Sequence, residues 1–126
     1  MIINKSPYSL NETFGRLLNI LVEHNMTIFA IVDHSGGAAQ VGLSMPNTKL
    51  VIFGNPKGGT EFMIADPNFS IDLPLKIAIR ENKDAVEVVY QTVEELAARY
   101  HVTKLHNSIK KMDECIEAII NQVIAK

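Results

Sequence analysis

The sequence predicts a single α+β domain that spans residues 1–126. Three observations support this fold class: helical apolar stripes near both ends of the chain, a pair of alternating segments typical of a β-hairpin, and a length well below the roughly 250 residues at which chains usually divide. Apolar residues make up 47% of the chain and charged residues 21%, which is ordinary globular composition.

Composition also limits the function. The net charge of −2 is spread along the chain without a basic stripe, so we expect no nucleic-acid partner. The longest apolar run, Ile28 to Val32, is too short to cross a bilayer, so we expect no membrane partner. Cys115 is the only cysteine, which favours a buried, inert thiol and a cytoplasmic location.

Local signals place the helices. Ser9 and Glu12 form a capping box before an apolar stripe that reaches Val22, and Asn25 is a plausible stop. Thr92 can cap a second helix through Tyr100. The last helix has heptad-spaced apolar residues, which leaves two uses open, packing onto the sheet or a dimer seam: Ile109, Met112, Ile116, Ile119 and Val123.

Five segments are predicted strands, at residues 2–5, 26–32, 49–53, 75–80 and 86–90. The second has apolar side chains on both faces, which predicts a central strand covered on both sides. The last two alternate and are joined by residues 81–84, so we expect a hairpin that buries one face and points Lys76, Arg80 and Glu87 the other way.

The first polar cluster is Asp33-His34, which ends the second strand before Ser35-Gly36-Gly37. Histidine can transfer a proton near neutral pH, and a neighbouring carboxylate can orient it, so His34 with Asp33 is a candidate general acid or base. The alternative is structural: Asp33 caps the turn while His34 is a hydrogen-bonded, partly buried side chain.

The second cluster is the loop Asn55 to Thr60, which follows the third strand. Asn55 and Pro56 predict a helix start, with a short helix continuing to Ala65. Its free amides, with Lys57, Gly59 and Thr60, could hold a carboxylate or phosphate. Neither a phosphate-binding P-loop nor a dinucleotide fingerprint matches, and a purely structural turn explains the glycines equally well.

A third cluster, Asp72 to Lys76, predicts either a solvated ion pair or an Asp72 carboxylate that fixes the Asn55 loop. His101 and His106 are five residues apart, which fits neither one helical face nor a zinc pattern. We therefore expect no metal, and we expect no cofactor because no cofactor fingerprint is present.

Several linked motifs resemble the domain of unknown function 302 family: Ile31-Val32-Asp33-His34, Phe53-Gly54-Asn55-Pro56, Gly59-Thr60 and Asp72-Leu73-Pro74-Leu75-Lys76. The resemblance implies an antiparallel sheet backed by helices, similar to the TATA-binding-protein-like architecture, and often a dimer. It implies no activity. The chain departs from the family pattern at Ser35-Gly36-Gly37, where alanine-rich residues are usual and where we expect a looser turn. It also has Tyr100, with His101 next, where members often have histidine.

These observations lead to one hypothesis and two alternatives. The hypothesis is a pocket for a small polar or anionic ligand, shared by Asp33, His34, Asn55, Lys57, Gly59, Thr60 and Asp72, on the assumption that the ends of the second and third strands meet. The alternatives are an enzyme that uses His34, and a homodimeric interaction protein without catalysis.

Overall fold

A computed structural model describes residues 1–100, 102 and 104–126. Along the chain lie β1 (Ile2–Ser6), α1 (Leu10–Glu23), β2 (Thr27–Asp33), α2 (His34–Gln40), β3 (Thr48–Gly54), α3 (Pro56–Ala65), a 3₁₀ helix (Pro67–Ile71), β4 (Leu75–Asn82), β5 (Ala85–Tyr90), α4 (Val93–Arg99) and α5 (His106–Ile124). His101, which follows Tyr100 where members of the resembled family often have histidine, lies outside the described residues.

The five strands form one antiparallel sheet in the order β1-β5-β4-β3-β2. The core lies between one face of this sheet and the helices, and its fully buried members come from β3, β4, β5, α1, α3, the 3₁₀ helix, α4 and α5. The predicted α+β class and the predicted hairpin, β4 with β5, are confirmed. The opposite face of the sheet carries Lys76, Arg80 and Glu87, as the alternation predicted.

Short-range capping signals were accurate. Ser9 accepts a hydrogen bond from the Glu12 amide, and Thr92 does the same for the Glu95 amide. Asn25, the predicted stop, has a φ of 60°, a left-handed conformation that asparagine tolerates better than most residues. Each of these signals concerns backbone groups within three residues of the side chain, so it can be predicted without knowledge of the tertiary structure.

The prediction that the second strand is central was wrong. β2 is an edge strand whose one neighbour is β3, and the side chains of Phe29 and Ile31 are 51% and 46% exposed. Its apolar residues on both faces indicated burial, but strand order depends on long-range pairing that the local pattern does not contain. The segment after it also differs, because His34 to Gln40 form a helix instead of the expected loosened turn.

The final helix serves the core. Ile116, Ile119, Ile120 and Val123 of α5 are at most 2% exposed and pack with α1 and the sheet. This confirms packing onto the sheet as the use of the heptad-like spacing. Within the described residues, no helix is both long enough and apolar enough to span a membrane.

Arg16 joins the first helix to the end of the last one. Its guanidinium donates to the carbonyl oxygens of Val123 at 2.7 Å, Gln122 at 2.9 Å and Ala125 at 3.1 Å. It also stacks on the ring of Tyr8, whose hydroxyl donates to the Ala125 carbonyl. The last carbonyls of a helix lack intrahelical donors and carry a partial negative charge. The Arg16 guanidinium supplies hydrogen-bond donors to these carbonyls of α5, and its positive charge offsets their partial negative charge.

Replacing Arg16 with methionine keeps an apolar stem over Tyr8 and removes all three hydrogen bonds. We expect the free energy of unfolding to fall by about 1–3 kcal/mol, since hydrogen bonds to charged groups are among the stronger ones. Urea denaturation followed by circular dichroism measures this change. Arg16→Lys should fall between the two proteins because it retains the charge, and a methionine variant as stable as the wild type would contradict the assignment.

Candidate functional site

The two predicted polar turns lie at opposite ends of the β2–β3 pair. In this antiparallel register Asp33 is opposite Lys49, whereas Gly54 is opposite Thr27. The turns are therefore separated by the length of a strand, roughly 20 Å at about 3.3 Å per residue. The predicted pocket shared by His34 and the Asn55 loop is wrong, because the ends of successive antiparallel strands point in opposite directions.

At one end, Asp33 is the N-cap of α2. Its Oδ1 accepts from the Gly36 amide and from the Ser35 hydroxyl, each at 2.9 Å. The bond from Gly36, followed by the bond from Ser35, lowers the pKa of Asp33. A Cβ on Gly36 would lie 2.5 Å from the Asp33 carboxylate, so a larger residue at this position would displace the cap.

His34 is the first residue of α2 and is exposed. Within the described residues, no hydrogen bond joins its ring to Asp33, whose Oδ1 bonds local groups. This arrangement matches the structural alternative for Asp33. The catalytic role of His34 and Asp33 stays a prediction.

At the other end, Asn55 starts α3 as predicted, with Pro56 in the first turn. Its side-chain oxygen accepts from the Lys57 amide at 3.0 Å, and its carbonyl accepts from the amides of Gly58 and Gly59, each at 3.0 Å. These amides are used internally and cannot also bind an anion. The predicted anion cradle at the start of α3 is therefore wrong, and the Lys57 side chain points to solvent.

Next to this helix start lies a cavity of about 310 Å³. Its wall is made by the ends of β3 and β4, by α3, by one residue each of β2 and α5, and by the segment before β4: Phe29, Gly54, Asn55, Pro56, Gly59, Thr60, Met63, Leu73, Pro74, Leu75 and Met112. We call it the α3 cavity. Three predicted residues, Asn55, Gly59 and Thr60, line it together.

The lining is predominantly apolar, and Asn55 and Thr60 are its two polar side chains. The Thr60 hydroxyl donates to the Pro56 carbonyl at 2.7 Å and keeps lone pairs that can accept. The Asn55 amide nitrogen has no acceptor among the residues that the structure describes, so it can donate to a molecule in the cavity.

Glycine makes room along this wall. A Cβ placed on Gly59 would be 3.8 Å from Leu73 Cδ1 and 4.0 Å from Met63 Cε, which is ordinary contact. A side chain at this position therefore extends among the groups that line the α3 cavity without a backbone clash. Met63 and Met112 add flexible thioether side chains, which adapt readily to irregular shapes.

Asp72 does not fix the Asn55 loop. Its carboxylate accepts from the Tyr100 hydroxyl and from Arg99, at 3.4 Å for the closer oxygen. The bond to Asp72 raises the pKa of Tyr100, and burial adds to the effect. Lys76 donates to the carbonyls of Pro74 and Asp72, at 3.2 and 3.5 Å, so the predicted Asp72–Lys76 side-chain ion pair is also wrong.

Sequence reasoning missed most of the α3 cavity. Phe29 gave only a strand signal, and Met112 belongs to a helical stripe more than fifty residues beyond Asn55. Neither has a local feature that marks a binding residue. The detectable signal was the glycine-rich helix start, which identified one wall.

The fold and the site together define a two-layer α+β domain, with a mainly apolar cavity beside a helix start. A family model described as domain of unknown function DUF302 matches residues 2–123, and the chain belongs to this family. The resemblance inferred from the motifs is thereby confirmed.

A solved structure of the same family name agrees with this assignment. The crystal structure of the uncharacterized conserved protein DUF302 from Bacillus stearothermophilus matches with a TM-score of 0.88, at 13% identity, over 97% of this chain and 96% of that one. Two proteins named fluoride-specific ion channel FluC 1 are 32% identical to this chain over 120 residues, which is 95% of its length. The match covers 45% of the protein from Brucella suis biovar 1 (strain 1330). It covers 43% of the protein from Brucella abortus biovar 1 (strain 9-941). The chain thus spans less than half the length of these curated relatives.

The Asp33 cap should depend on pH. Because the folded-state pKa lies below the ordinary value of 3.8, the cap stabilises α2 above that value and is lost as the pH falls through the folded pKa. The protection factor of the Gly36 amide, measured by NMR against the intrinsic exchange rate at each pH, should fall on acidification below about pH 4. In Asp33→Asn this loss of protection should be absent, whereas an equal response in both proteins would contradict the assignment.

Proposed function

We propose that the protein binds a small, mainly apolar molecule with one hydrogen-bond acceptor in the α3 cavity. The observation that supports this most is the combination of volume and lining. A cavity of about 310 Å³ lies at the lower end of the ~300–1,000 Å³ range of small-molecule sites, which are mostly apolar with a few placed polar groups.

The polar groups define the head of the ligand. The Asn55 amide can donate to a carbonyl or ether oxygen, and the Thr60 hydroxyl can accept from a donor. The rest of the wall offers Phe29, Leu73 and the two methionines, which favour an alkyl or ring body. A free anion is a poor fit, because burying a charge without a paired group is costly.

This proposal differs from the expectation drawn from the sequence in the class of ligand and in the residues that bind it. Asn55, Gly59 and Thr60 remain proposed ligand-binding residues, whereas Lys57 and Asp72 lie outside the described lining. The name of the Brucella relatives raises fluoride as a candidate, yet fluoride needs free donors, and the α3 amides are already bonded. We propose an uncharged ligand and retain the cytoplasmic location as part of the proposal.

The test uses three probes: cyclohexanone, succinate and sodium fluoride. Cyclohexanone has an apolar ring and one acceptor, so we expect it to shift the methyl NMR signals of Met63 and Met112 in a saturable way. Succinate and fluoride should leave both signals in place at matched ionic strength. Saturable shifts from either anion, without a response to cyclohexanone, would overturn the proposal.

Gly59→Leu separates binding from folding. The Cβ of the new side chain lies at ordinary contact distances from Leu73 and Met63, and we expect the rest of the side chain to fill the α3 cavity, so cyclohexanone shifts should disappear. Stability should rise by about 0.5–1 kcal/mol, because glycine is a poor helix former. Gly15→Leu in α1, where a Cβ meets nothing within 4 Å, is the matched control and should bind normally. Equal binding by the wild type and both variants would place the probe elsewhere.

We also propose that the protein forms a homodimer through the uncovered face of the sheet. One apolar residue from each strand forms a row of paired neighbours across this face: Val32, Leu50, Ala78, Val89 and Ile3. None of the five belongs to the hydrophobic core cluster on the helix side. Val89 is only 5% exposed, so the accessible apolar surface of the row comes from the other four residues. Lys5, Glu87 and Arg80 border the row, as a polar rim borders an interface core. Two such faces can pack at the ~10 Å spacing of stacked sheets, which makes a second copy the proposed occupant.

Leu50→Lys places a charge in the middle of this row and should convert the dimer to a monomer in light-scattering measurements. Val41→Lys is the matched control, since Val41 is apolar and 72% exposed but lies after α2, outside the row. The control should remain dimeric. A wild-type mass equal to one chain across the accessible concentration range would refute the dimer.

A further inference from the structure

A second crevice lies between the β1–β5 side of the sheet and α5, on the helix-covered face. Its volume is about 220 Å³, and Tyr90, Asn4, Asp113, Glu117 and Asn121 are among its polar lining residues, with Ile2 and Ile120 as apolar walls. We call it the Tyr90 crevice. It shares no lining residue with the α3 cavity, so it can act independently of the proposed function.

Tyr90 is the buried group in this crevice. Its side chain is 8% exposed, so more than nine-tenths of it is removed from solvent. Within residues 1–100, 102 and 104–126, its hydroxyl has no hydrogen-bond partner, although every fully enclosed polar side-chain atom there has one. The hydroxyl is therefore reached from the crevice. Because the ring is buried while the hydroxyl opens into the crevice without a partner among the described residues, that hydroxyl can bond to a molecule that occupies this space.

The charge around Tyr90 is negative. Burial raises the pKa of its hydroxyl, and the carboxylates of Glu117, Asp113 and Glu95 raise it further. Glu95 is already paired with the Met1 ammonium at 2.6 Å, so Glu117 and Asp113 supply the negative charge that faces the crevice. Asp113 is held in place because its two oxygens accept from the amides of Val93 at 2.7 Å and Glu94 at 3.1 Å. A negative surround of this kind favours a cation over an anion.

The remaining polar groups of the crevice are also available. In the described part of the chain, the Glu117 carboxylate has no ion pair, and the side-chain amides of Asn4 and Asn121 have no hydrogen-bond partner. One carboxylate, one phenol oxygen and two amide oxygens thus surround a single space. All four can accept hydrogen bonds.

We propose that the Tyr90 crevice binds the primary ammonium group of a small amine with a short alkyl body. The ammonium pairs with Glu117 and donates its other N–H groups to the Tyr90 hydroxyl and an asparagine oxygen. Ile2 and Ile120 contact the alkyl chain. A divalent metal is a weaker fit, because no three His, Cys, Asp or Glu side chains converge among the described residues, and such ions need six or more oxygens.

The experiment titrates the protein with n-butylammonium chloride and follows the side-chain amide NMR signals of Asn4 and Asn121. We expect saturable shifts. n-Butanol, which has the same alkyl body without charge, and calcium chloride at matched ionic strength should not produce them. The absence of saturation by the amine overturns the proposal, and an equal response to n-butanol or calcium overturns its assignment to an ammonium group.

Two variants locate the binding. Glu117→Gln should weaken n-butylammonium binding about tenfold or more, because it removes the charge and leaves only a neutral acceptor. The isosteric Tyr90→Phe should weaken it about three- to tenfold, because it removes one hydrogen bond. Glu114→Gln is the matched control: it removes the same charge from α5, where Glu114 is exposed and pairs loosely with Lys110. Equal affinities in all three variants would place the amine outside the crevice.

Discussion

The antiparallel pairing of β2 with β3 is the constraint on which the arrangement of sites depends. In this register Asp33 pairs with Lys49, and Thr27 pairs with Gly54. The segments that follow β2 and β3 therefore lie at opposite ends of the sheet. Two polar turns that are only about twenty residues apart in sequence therefore cannot converge. In a parallel sheet the same residues would have met at one edge, and a shared site would have been reasonable.

This constraint assigns different tasks to the two turns. The turn after β2 is fully used in capping α2, with a glycine so close to the Asp33 carboxylate that a Cβ would clash. The amides in the turn after β3 are also bonded internally. The helix that follows this turn, α3, lies beside the ends of β3 and β4, and the α3 cavity lies between them. The value of Gly59 to a site is thus its small size, and not the anion-binding amides that a glycine-rich helix start usually suggests.

Sequence analysis correctly predicted features that depend on local interactions, and it was wrong about features that depend on contacts between distant segments. Caps such as Ser9, Asn55 and Thr92 act on amides two or three residues away, so their positions were readable, and the alternation of β4 and β5 identified the hairpin. The apolar pattern of β2 was misleading, because Phe29 is exposed at the sheet edge while also lining the α3 cavity. Asp72 was predicted to pair with Lys76 or to fix the Asn55 loop, but its partners, Arg99 and Tyr100, belong to α4 and the residue after it.

The same division explains why Tyr90 has no sequence signal. Alternation along β5 predicts that the ring of Tyr90 is buried, and that prediction is correct. Which groups surround its hydroxyl depends on which turn of α5 lies opposite. Asp113 is fixed there by its bonds to the first amides of α4, and Glu117, one helical turn further on, lines the same crevice. A residue that caps α4 thus lies on the same helix face as the acidic side chain near Tyr90. Because that cap and the α3 cavity share no residue, each can be altered while the other stays intact.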